Sequence, residues 1–272
     1  MRAADYAYLS SPAPIALAHR GGARLPENIG FENTLAAFGR AVAMGYRYLE
    51  TDVHATSDGR AVAFHDTVLD RVTDARGRVA DLPWSVVRQA RVGGIEPVPL
   101  LGDLLEAFPD TFLNIDVKAD SALAPTLEVV RRHDATRRVC LGSFSPRRIR
   151  AVRRALGPDV ATAAGQLGTA ALRFGPGPVT RLLHTPAPVF QIPAEHRVGG
   201  RTITLVTPGL VRRAHRLGKH VHVWFHDWSR EDAQEYHRLL DLGVDGIVAD
   251  RIDVLRDVLV ERGHPPMAGS GG

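Results

Sequence analysis

The sequence predicts an α/β fold, a (β/α)8 TIM barrel with a small insertion after the second strand. Short β-rich runs alternate with helical patterns, eight strand candidates can be counted, and 272 residues is the usual size of a single barrel with a large core. Eight strands each followed by a helix imply a parallel sheet, and eight is the number that closes. An open doubly wound sheet is the competing architecture. Its dinucleotide fingerprint is missing, because Gly21-Gly22 is not followed by the later glycine and the helix start that it requires.

The first strand is Ile15 to His19, followed by a Gly/Pro-rich loop from Gly21 to Gly30. A helix then starts near Asn33 or Thr34, with Leu35, Phe38 and Val42 at helical spacing. Tyr46 to Val53 is the second strand. Ser57-Asp58-Gly59-Arg60 forms a hairpin-type turn into Ala61 to Phe64, which carries His65 back towards the end of the second strand. From about 54 to 98 the chain leaves the regular alternation, broken by Asp74, Gly77 and Pro83. Helix Leu101 to Phe108, strand Phe112 to Val117, helix Leu123 to His133, strand Arg138 to Leu141 and helix Pro146 to Leu156 follow. The remaining strands are Val160 to Ala163, Val189 to Ile192, His220 to Phe225 and Gly246 to Ala249. Helices around Thr169 to Arg173, Pro208 to Leu217, Arg230 to Leu242 and Asp253 to Glu261 alternate with them. One domain is expected over 1–264, with a disordered tail over 265–272.

Composition narrows the function classes. Hydrophobic residues make up 44% and charged residues 24%, as in ordinary globular enzymes. The net charge of +4 comes almost wholly from dispersed arginine; Lys118 and Lys219 are the only lysines, and no dense basic run or nucleic-acid motif accompanies them. Nucleic acid is therefore not an expected partner. The single cysteine, Cys140, cannot form an intramolecular disulfide or a thiolate metal cluster, and is expected in a buried strand. Residues 1–14 lack the pattern of a secretion signal, and no apolar run is long enough to cross a bilayer, so a cytoplasmic protein is expected.

Three charged islands stand where apolar runs stop: Ala18-His19-Arg20-Gly21-Gly22, Glu50-Thr51-Asp52-Val53-His54 and Phe64-His65-Asp66. Side chains two apart on a strand share a face. In the third strand Leu113, Ile115 and Val117 face the helices while Asn114, Asp116 and Lys118 face inward; in the second, Tyr48, Glu50 and Asp52 oppose Leu49, Thr51 and Val53. Barrel active sites lie at the C-terminal strand ends, and unpaired buried carboxylates are too costly to be filler. Glu50, Asp52 and Asp116 thus make an all-oxygen site for Ca2+ or Mg2+; the competing reading is an ion-pair network of these acids with Arg20 and Lys118. His19 and His65, from different loops of one rim, suit an acid/base pair. Arg20 and Lys118 suit a phosphate, with the Gly21 and Gly22 amides assisting. His220 and His222 read as barrel filling, His54 is ambiguous, and Trp224 is either a substrate wall or packing.

Several motifs together resemble the glycerophosphodiester phosphodiesterase family. They are His19-Arg20-Gly21-Gly22, Glu32-Asn33-Thr34-Leu35-Ala36-Ala37-Phe38, Glu50-Thr51-Asp52-Val53, Asp58-Gly59 and His65-Asp66. Pro97-Val98-Pro99-Leu100, Asn114-Ile115-Asp116-Val117-Lys118, Val223-Trp224 and Gly243-Val244-Asp245-Gly246-Ile247-Val248-Ala249-Asp250 continue the match in order, over about residues 15 to 256. The resemblance implies a metal-dependent phosphodiesterase that releases glycerol 3-phosphate and an alcohol from small glycerophosphodiesters, through a cyclic phosphate formed by the glycerol 2-hydroxyl. It implies His19 and His65 as the acid/base pair, Glu50, Asp52 and Asp116 as ligands of Ca2+ or Mg2+, with Mn2+ a further option, and Arg20, Lys118, Glu32 and Trp224 at the substrate. Asp116 stands where the family more often has glutamate. The Pro-Glu-Asn element is split by a second copy, Pro26-Glu27-Asn28, and His226-Asp227 replaces an Asn-Asp-like ending. A lysophospholipase D-like member would keep the same catalytic residues and differ by an apolar rim. Two further readings compete with these: a non-catalytic phosphodiester-binding barrel, and an aldolase-type barrel using Lys118 as a Schiff-base nucleophile.

Overall fold

The structure is a computed structural model that describes residues 1–175, 185–198 and 200–266. Its frame is eight parallel strands: β1 (Ile15–His19), β2 (Tyr48–Ala55), β6 (Phe112–Val117), β7 (Val139–Gly142), β8 (Ala161–Thr162), β9 (Val189–Pro193), β12 (His220–Trp224) and β13 (Gly246–Ala249). They lie in the order β8-β7-β6-β2-β1-β13-β12-β9. The end strands meet through the parallel bridge Ala163 to Val189 and the Ala164 amide, which donates to the Val189 carbonyl at 2.8 Å, so the barrel is nearly closed. The (β/α)8 architecture read from the alternation of elements is the one observed.

Helices α1 (Leu35–Ala43), α3 (Leu101–Ala107), α4 (Asp120–Arg132), α5 (Pro146–Leu156), α6 (Gln166–Phe174), α7 (Pro208–Arg216), α8 (Ala233–Asp241) and α9 (Ile252–Glu261) surround the sheet. Thr34 starts α1, its hydroxyl accepting from the Ala37 amide at 3.1 Å, as a capping residue does. Leu113, Ile115 and Val117 pack outward into one large core with Phe38, Leu101, Leu104 and Val130. Asn114 faces inward and accepts from Gln191 Nε2 of β9 across the barrel at 2.7 Å. Cys140 is buried in β7, as expected.

Three parts differ from expectation. The second strand starts at Tyr48 rather than Tyr46, because the Tyr46 amide still donates to the Ala41 carbonyl of α1 at 3.1 Å. The excursion after β2 is more ordered than its composition suggested. It contains β3 (Ala61–Ala63), antiparallel to β2, a helix α2 (Trp84–Val87) and the pair β4 (Arg91–Val92) and β5 (Glu96–Pro97), around an apolar cluster of Val62, Phe64, Leu69, Val79, Val87 and Val98. A hairpin of β10 (Glu195–Val198) and β11 (Arg201–Thr204) follows β9, where only a connection was expected. Of the expected tail, Pro265 and Pro266 line a hollow at the N-terminal end of the barrel with Ser11, Ala13 and Arg47. Residues 267–272 lie outside the described residues.

That N-terminal end is closed by the first residues of the chain. Tyr8 is buried edge-on against Tyr48 and Phe112, with ring centroids at 5.3 and 5.8 Å, and Tyr48 stacks on Phe112 at 4.7 Å. The Tyr48 hydroxyl donates to the Tyr8 carbonyl at 2.7 Å, whereas the buried Tyr8 hydroxyl makes no hydrogen bond among the described residues. His222 lies fully buried in the barrel beside Gly246, where an added Cβ would come within 2.8 Å of its ring. It is barrel filling, as its inward position on β12 suggested.

Candidate active site

Strand register gathers the polar residues at the C-terminal end. His19 pairs with Glu50 across β1 and β2, and Asp52 pairs with Asp116 across β2 and β6. Ala18 pairs with Ala249, which brings Asp250, one residue past β13, beside His19. The Phe64 amide donates to the Asp52 carbonyl at 2.9 Å, so the antiparallel return of β3 delivers His65 to the same rim.

The turn after β1 has three consecutive residues in the left-handed region, Arg20, Gly21 and Gly22, at φ 51°, 86° and 84°. A Cβ on Gly21 would lie 2.9 Å from that of Ala37, and one on Gly22 2.5 Å from Ile252 Cδ1, so space as well as conformation demands glycine. Their amides are not available to a phosphate: Gly21 N donates to the Ala18 carbonyl at 3.2 Å and Gly22 N to that of His19 at 2.8 Å. This corrects the expectation that they assist anion binding. The split Pro-Glu-Asn element also resolves. Asn28 of the first copy is buried and donates to the Gly21 and Gly22 carbonyls at 2.9 and 3.2 Å, pinning the turn, whereas Glu27 is exposed. Glu32 and Asn33 of the second copy face the site, Glu32 accepting from Arg20 Nη1 at 3.1 Å and Asn33 Nδ2 donating to Asp52 at 3.4 Å.

Each histidine is held through Nδ1 by a carboxylate. His19 Nδ1 is 2.9 Å from Asp250 Oδ1, and His65 Nδ1 is 2.6 Å from Asp66 Oδ1. His19 Nε2 lies 3.7 Å from Glu50 Oε2. Burial by itself would push the His19 pKa down, but Asp250 and Glu50 outweigh it and raise it to about 9. His65 goes the other way. Burial lowers its pKa, Arg20 and Lys118 add to that, and Asp52 and Asp66 offset only part. His54 donates through Nε2 to the His65 carbonyl at 3.0 Å, which gives a residue of ambiguous sequence context a place in holding the loop.

The carboxylates divide likewise. Burial and the neighbouring charge of Asp52 raise Glu50 to about 7. Against the same cost of burial, Arg20 and Lys118 hold Asp52 well below the usual carboxylate range. Lys118 Nζ lies 2.7 Å from both Asp52 Oδ1 and Asp116 Oδ2, and its pKa is raised well above that of a free lysine by those two carboxylates, despite burial. That is the opposite of a Schiff-base nucleophile, which needs a neutral amine. Among the described residues no group of three His, Cys, Asp or Glu side chains is gathered as a cation cage. Two of the expected ligands, Asp52 and Asp116, instead share the Lys118 ammonium, while Glu50 stands apart beside His19. The donor chemistry still fits a hard cation, because the set is all oxygen and Glu50 is a buried carboxyl short of positive charge. Trp224 is half-buried at the end of β12, edge-on to His226 at 4.2 Å.

Four partners of the site were not singled out from sequence. Asp250 stands at a strand end, inside the Gly243 to Asp250 motif, and the strand-end logic that selected His19 would have selected it. Glu231 accepts from the Asp250 and Arg251 amides at 2.8 and 3.2 Å and from the Tyr236 hydroxyl at 2.6 Å, fixing the loop that carries Asp250. Asn33 accepts from Thr51 at 2.8 Å. Arg71 comes from the irregular excursion, where no periodicity marks it.

Comparisons with known proteins bear on the family and the fold. The profile of the Glycerophosphoryl diester phosphodiesterase family matches residues 19–254. The chain is 41% identical over 263 residues to the probable glycerophosphodiester phosphodiesterase 2 of Mycobacterium tuberculosis, covering 94% of this chain and 95% of that one. It is 28% identical to human lysophospholipase D GDPD1, covering 89% and 85%. Among solved structures, a putative glycerophosphoryl diester phosphodiesterase from Silicibacter pomeroyi superposes with a TM-score of 0.77 at 24% identity, covering 96% of this chain and 100% of that one. An Oleispira antarctica phosphodiesterase in complex with the product sn-glycerol-3-phosphate gives 0.75 at 23% identity, covering 94% and 99%. Such remote structural likeness carries the fold; the family rests on the profile match and the mycobacterial relative. With its barrel, its rim of histidines and carboxylates and these relatives, the chain belongs to the glycerophosphoryl diester phosphodiesterase family and is an enzyme of that class.

Proposed function

We propose that this chain hydrolyses glycerophosphodiesters to sn-glycerol 3-phosphate and an alcohol by acid/base catalysis through His19 and His65, with a divalent cation held by Glu50, Asp52 and Asp116. The observation that carries the proposal is the pairing of both Nδ1 atoms with carboxylates, Asp250 and Asp66, which fixes each ring and leaves each Nε2 for the substrate. His19, kept protonated by its carboxylate neighbours, donates to the departing alkoxide as its bond to phosphorus breaks. His65, kept neutral by burial and the nearby cations, takes the proton of the attacking water or glycerol 2-hydroxyl as the new P–O bond forms. Where the 2-hydroxyl attacks, a water whose proton passes to His19 then opens the cyclic phosphate, and His65 protonates the departing 2-oxygen to give glycerol 3-phosphate. Arg20 and Lys118 offset charge on the phosphoryl oxygens, with Glu32 holding Arg20 in place and Trp224 as a wall of the cleft. Bound Ca2+ or Mg2+, or Mn2+ in their place, supplies polarisation of those oxygens. On this reading residues 1–264 act as one catalytic domain in the cytoplasm.

The test is glycerol 3-phosphate release from a panel of glycerophosphodiesters by chelator-stripped protein, with Ca2+, Mg2+ or Mn2+ added back, beside His19→Ala. Metal-dependent release lost in the variant is expected; release that survives either the chelator or the substitution refutes the corresponding part.

A second substrate reading, lysolipids, is favoured by one observation. Ile29, Phe144, Leu167 and Trp228 are all exposed, and each lies on a different loop or helix start that follows a barrel strand, which is the end where the site opens. These four side chains would supply the apolar rim expected of a lysophospholipase D-like member, and choline release from lysophosphatidylcholine measures that activity. Among the described residues no helix is long and apolar enough to cross a membrane.

A further inference from the structure

Among the described residues, Arg71 is the one side chain of the excursion after β2 whose bonds reach two site loops at once. Its Nε and Nη2 donate to Asp66 Oδ2 and Oδ1 at 2.5 and 3.0 Å, and its Nη1 and Nη2 donate to Glu32 Oε2 and Oε1 at 2.9 and 2.7 Å. Both grips are bidentate, the arrangement in which a planar guanidinium binds carboxylates most firmly. Asp66 Oδ1 also holds His65, and Glu32 Oε1 also holds Arg20, whose Nε lies 3.1 Å from Asp52. One unbroken series therefore runs His65, Asp66, Arg71, Glu32, Arg20, Asp52. The backbone of Arg71 is itself anchored, since Leu69 is fully buried and Val72 packs in the same apolar cluster of the excursion.

We propose that Arg71 is a positioning residue for the phosphodiesterase reaction, and that the excursion, besides carrying His65 and Asp66 to the rim, contributes to catalysis by delivering it. The proposal rests on His65 and Arg20 having the roles given above. Asp66 must stay ionised to orient His65, yet an unpaired carboxylate there and another at Glu32 would repel each other and draw Arg20 away from the phosphate position. Arg71 satisfies both, leaving His65 aligned by one oxygen of Asp66 and Arg20 held between Glu32 and Asp52. Lysine could not substitute, because one ammonium cannot make two planar bidentate contacts.

The test compares steady-state kinetics of wild type, Arg71→Ala, Arg71→Lys, Asp66→Asn and the double variant of Arg71→Ala with Asp66→Asn on glycerophosphocholine, with His65→Ala as the control. Arg71→Ala is expected to lower kcat about 100-fold with KM little changed, the loss associated with misplacing catalytic groups. Arg71→Lys should recover little of it, and added guanidinium should restore part of the rate to Arg71→Ala but none to His65→Ala. The Arg71→Ala and Asp66→Asn effects should be far from additive. A raised KM at unchanged kcat would make Arg71 a substrate contact and overturn the proposal. So would unchanged kinetics with a lowered Tm, or additive effects with Asp66→Asn. If Arg71→Ala does not fold, Arg71→Lys carries the same kcat test. A His65→Ala control that keeps wild-type activity would instead refute the acid/base assignment on which the proposal depends.

Discussion

At the N-terminal end of the barrel Tyr8, Tyr48 and Phe112 pack in a plug with few polar atoms; at the C-terminal end β2 and β6 finish in Asp52 and Asp116, tied to Arg20 and Lys118, and in Glu50 beside His19. Tyr48 and Glu50 are two residues apart on one face of β2, so a single strand serves both ends. Apolar packing at one end gains from removal from water, whereas charge pairing at the other must first overcome desolvation. Of the two ends the lower one thus adds stability to the large core between strands and helices, and the upper end holds groups that the fold would be easier without. Arg20, a non-glycine residue at φ 51° in the turn after β1, belongs to the second kind.

The sharpest test of this division is His19→Ala or His65→Ala, which should reduce kcat by about 100- to 10,000-fold while thermal melting stays close to wild type. Melting that falls with the rate would mean that the upper end also carries stability. The mirror image is Tyr48→Ala, expected to destabilise by about 3–5 kcal/mol in chemical denaturation, with kcat per folded molecule unchanged. A catalytic defect in the folded fraction would show that the plug sets the geometry of the site.

Glu50→Gln probes the electrostatic strain directly. Folded Glu50 keeps its proton to about pH 7, whereas an ordinary glutamate loses it near 4.5, so between those values the folded state binds more protons. Stability from this group is full below the lower value and lost as pH rises through the higher one. In metal-free protein Glu50→Gln should therefore gain Tm relative to wild type between pH 5 and pH 8, and added Ca2+ or Mg2+ should raise the wild-type Tm more at pH 8 than at pH 5. Equal Tm differences at both pH values would refute the shift. The smallest expected effect is Thr34→Ala, about 1 kcal/mol from the lost α1 cap, read from the denaturation midpoint.

Much of the upper end was legible in the sequence. Alternation along β2 and β6 marked Glu50, Asp52 and Asp116 as inward-facing, and the position of His19 where an apolar run stops marked it as a strand-end group. The excursion was harder to read. Its cluster of Val62, Leu69 and Val87 has neither a period of two nor of 3.6, because its residues meet through loops, and Arg71 within it carried no pattern at all. Nor could spacing foretell that the Gly21 and Gly22 amides would be consumed by their own turn, or that Lys118 would lie between Asp52 and Asp116.

What the sequence determined alone was whatever local periodicity encodes: eight strands, their alternation with helices, the α1 cap, and which faces of β2, β6 and β12 turn inward. Only the tertiary structure decided which polar groups meet. His19 and Asp250 lie 231 positions apart and Arg71 and Glu32 lie 39 apart, so their pairing depends on barrel closure and on how the excursion folds back. Side-chain direction follows from φ and ψ within a few residues, whereas a hydrogen bond across the rim requires every intervening strand register to be set first.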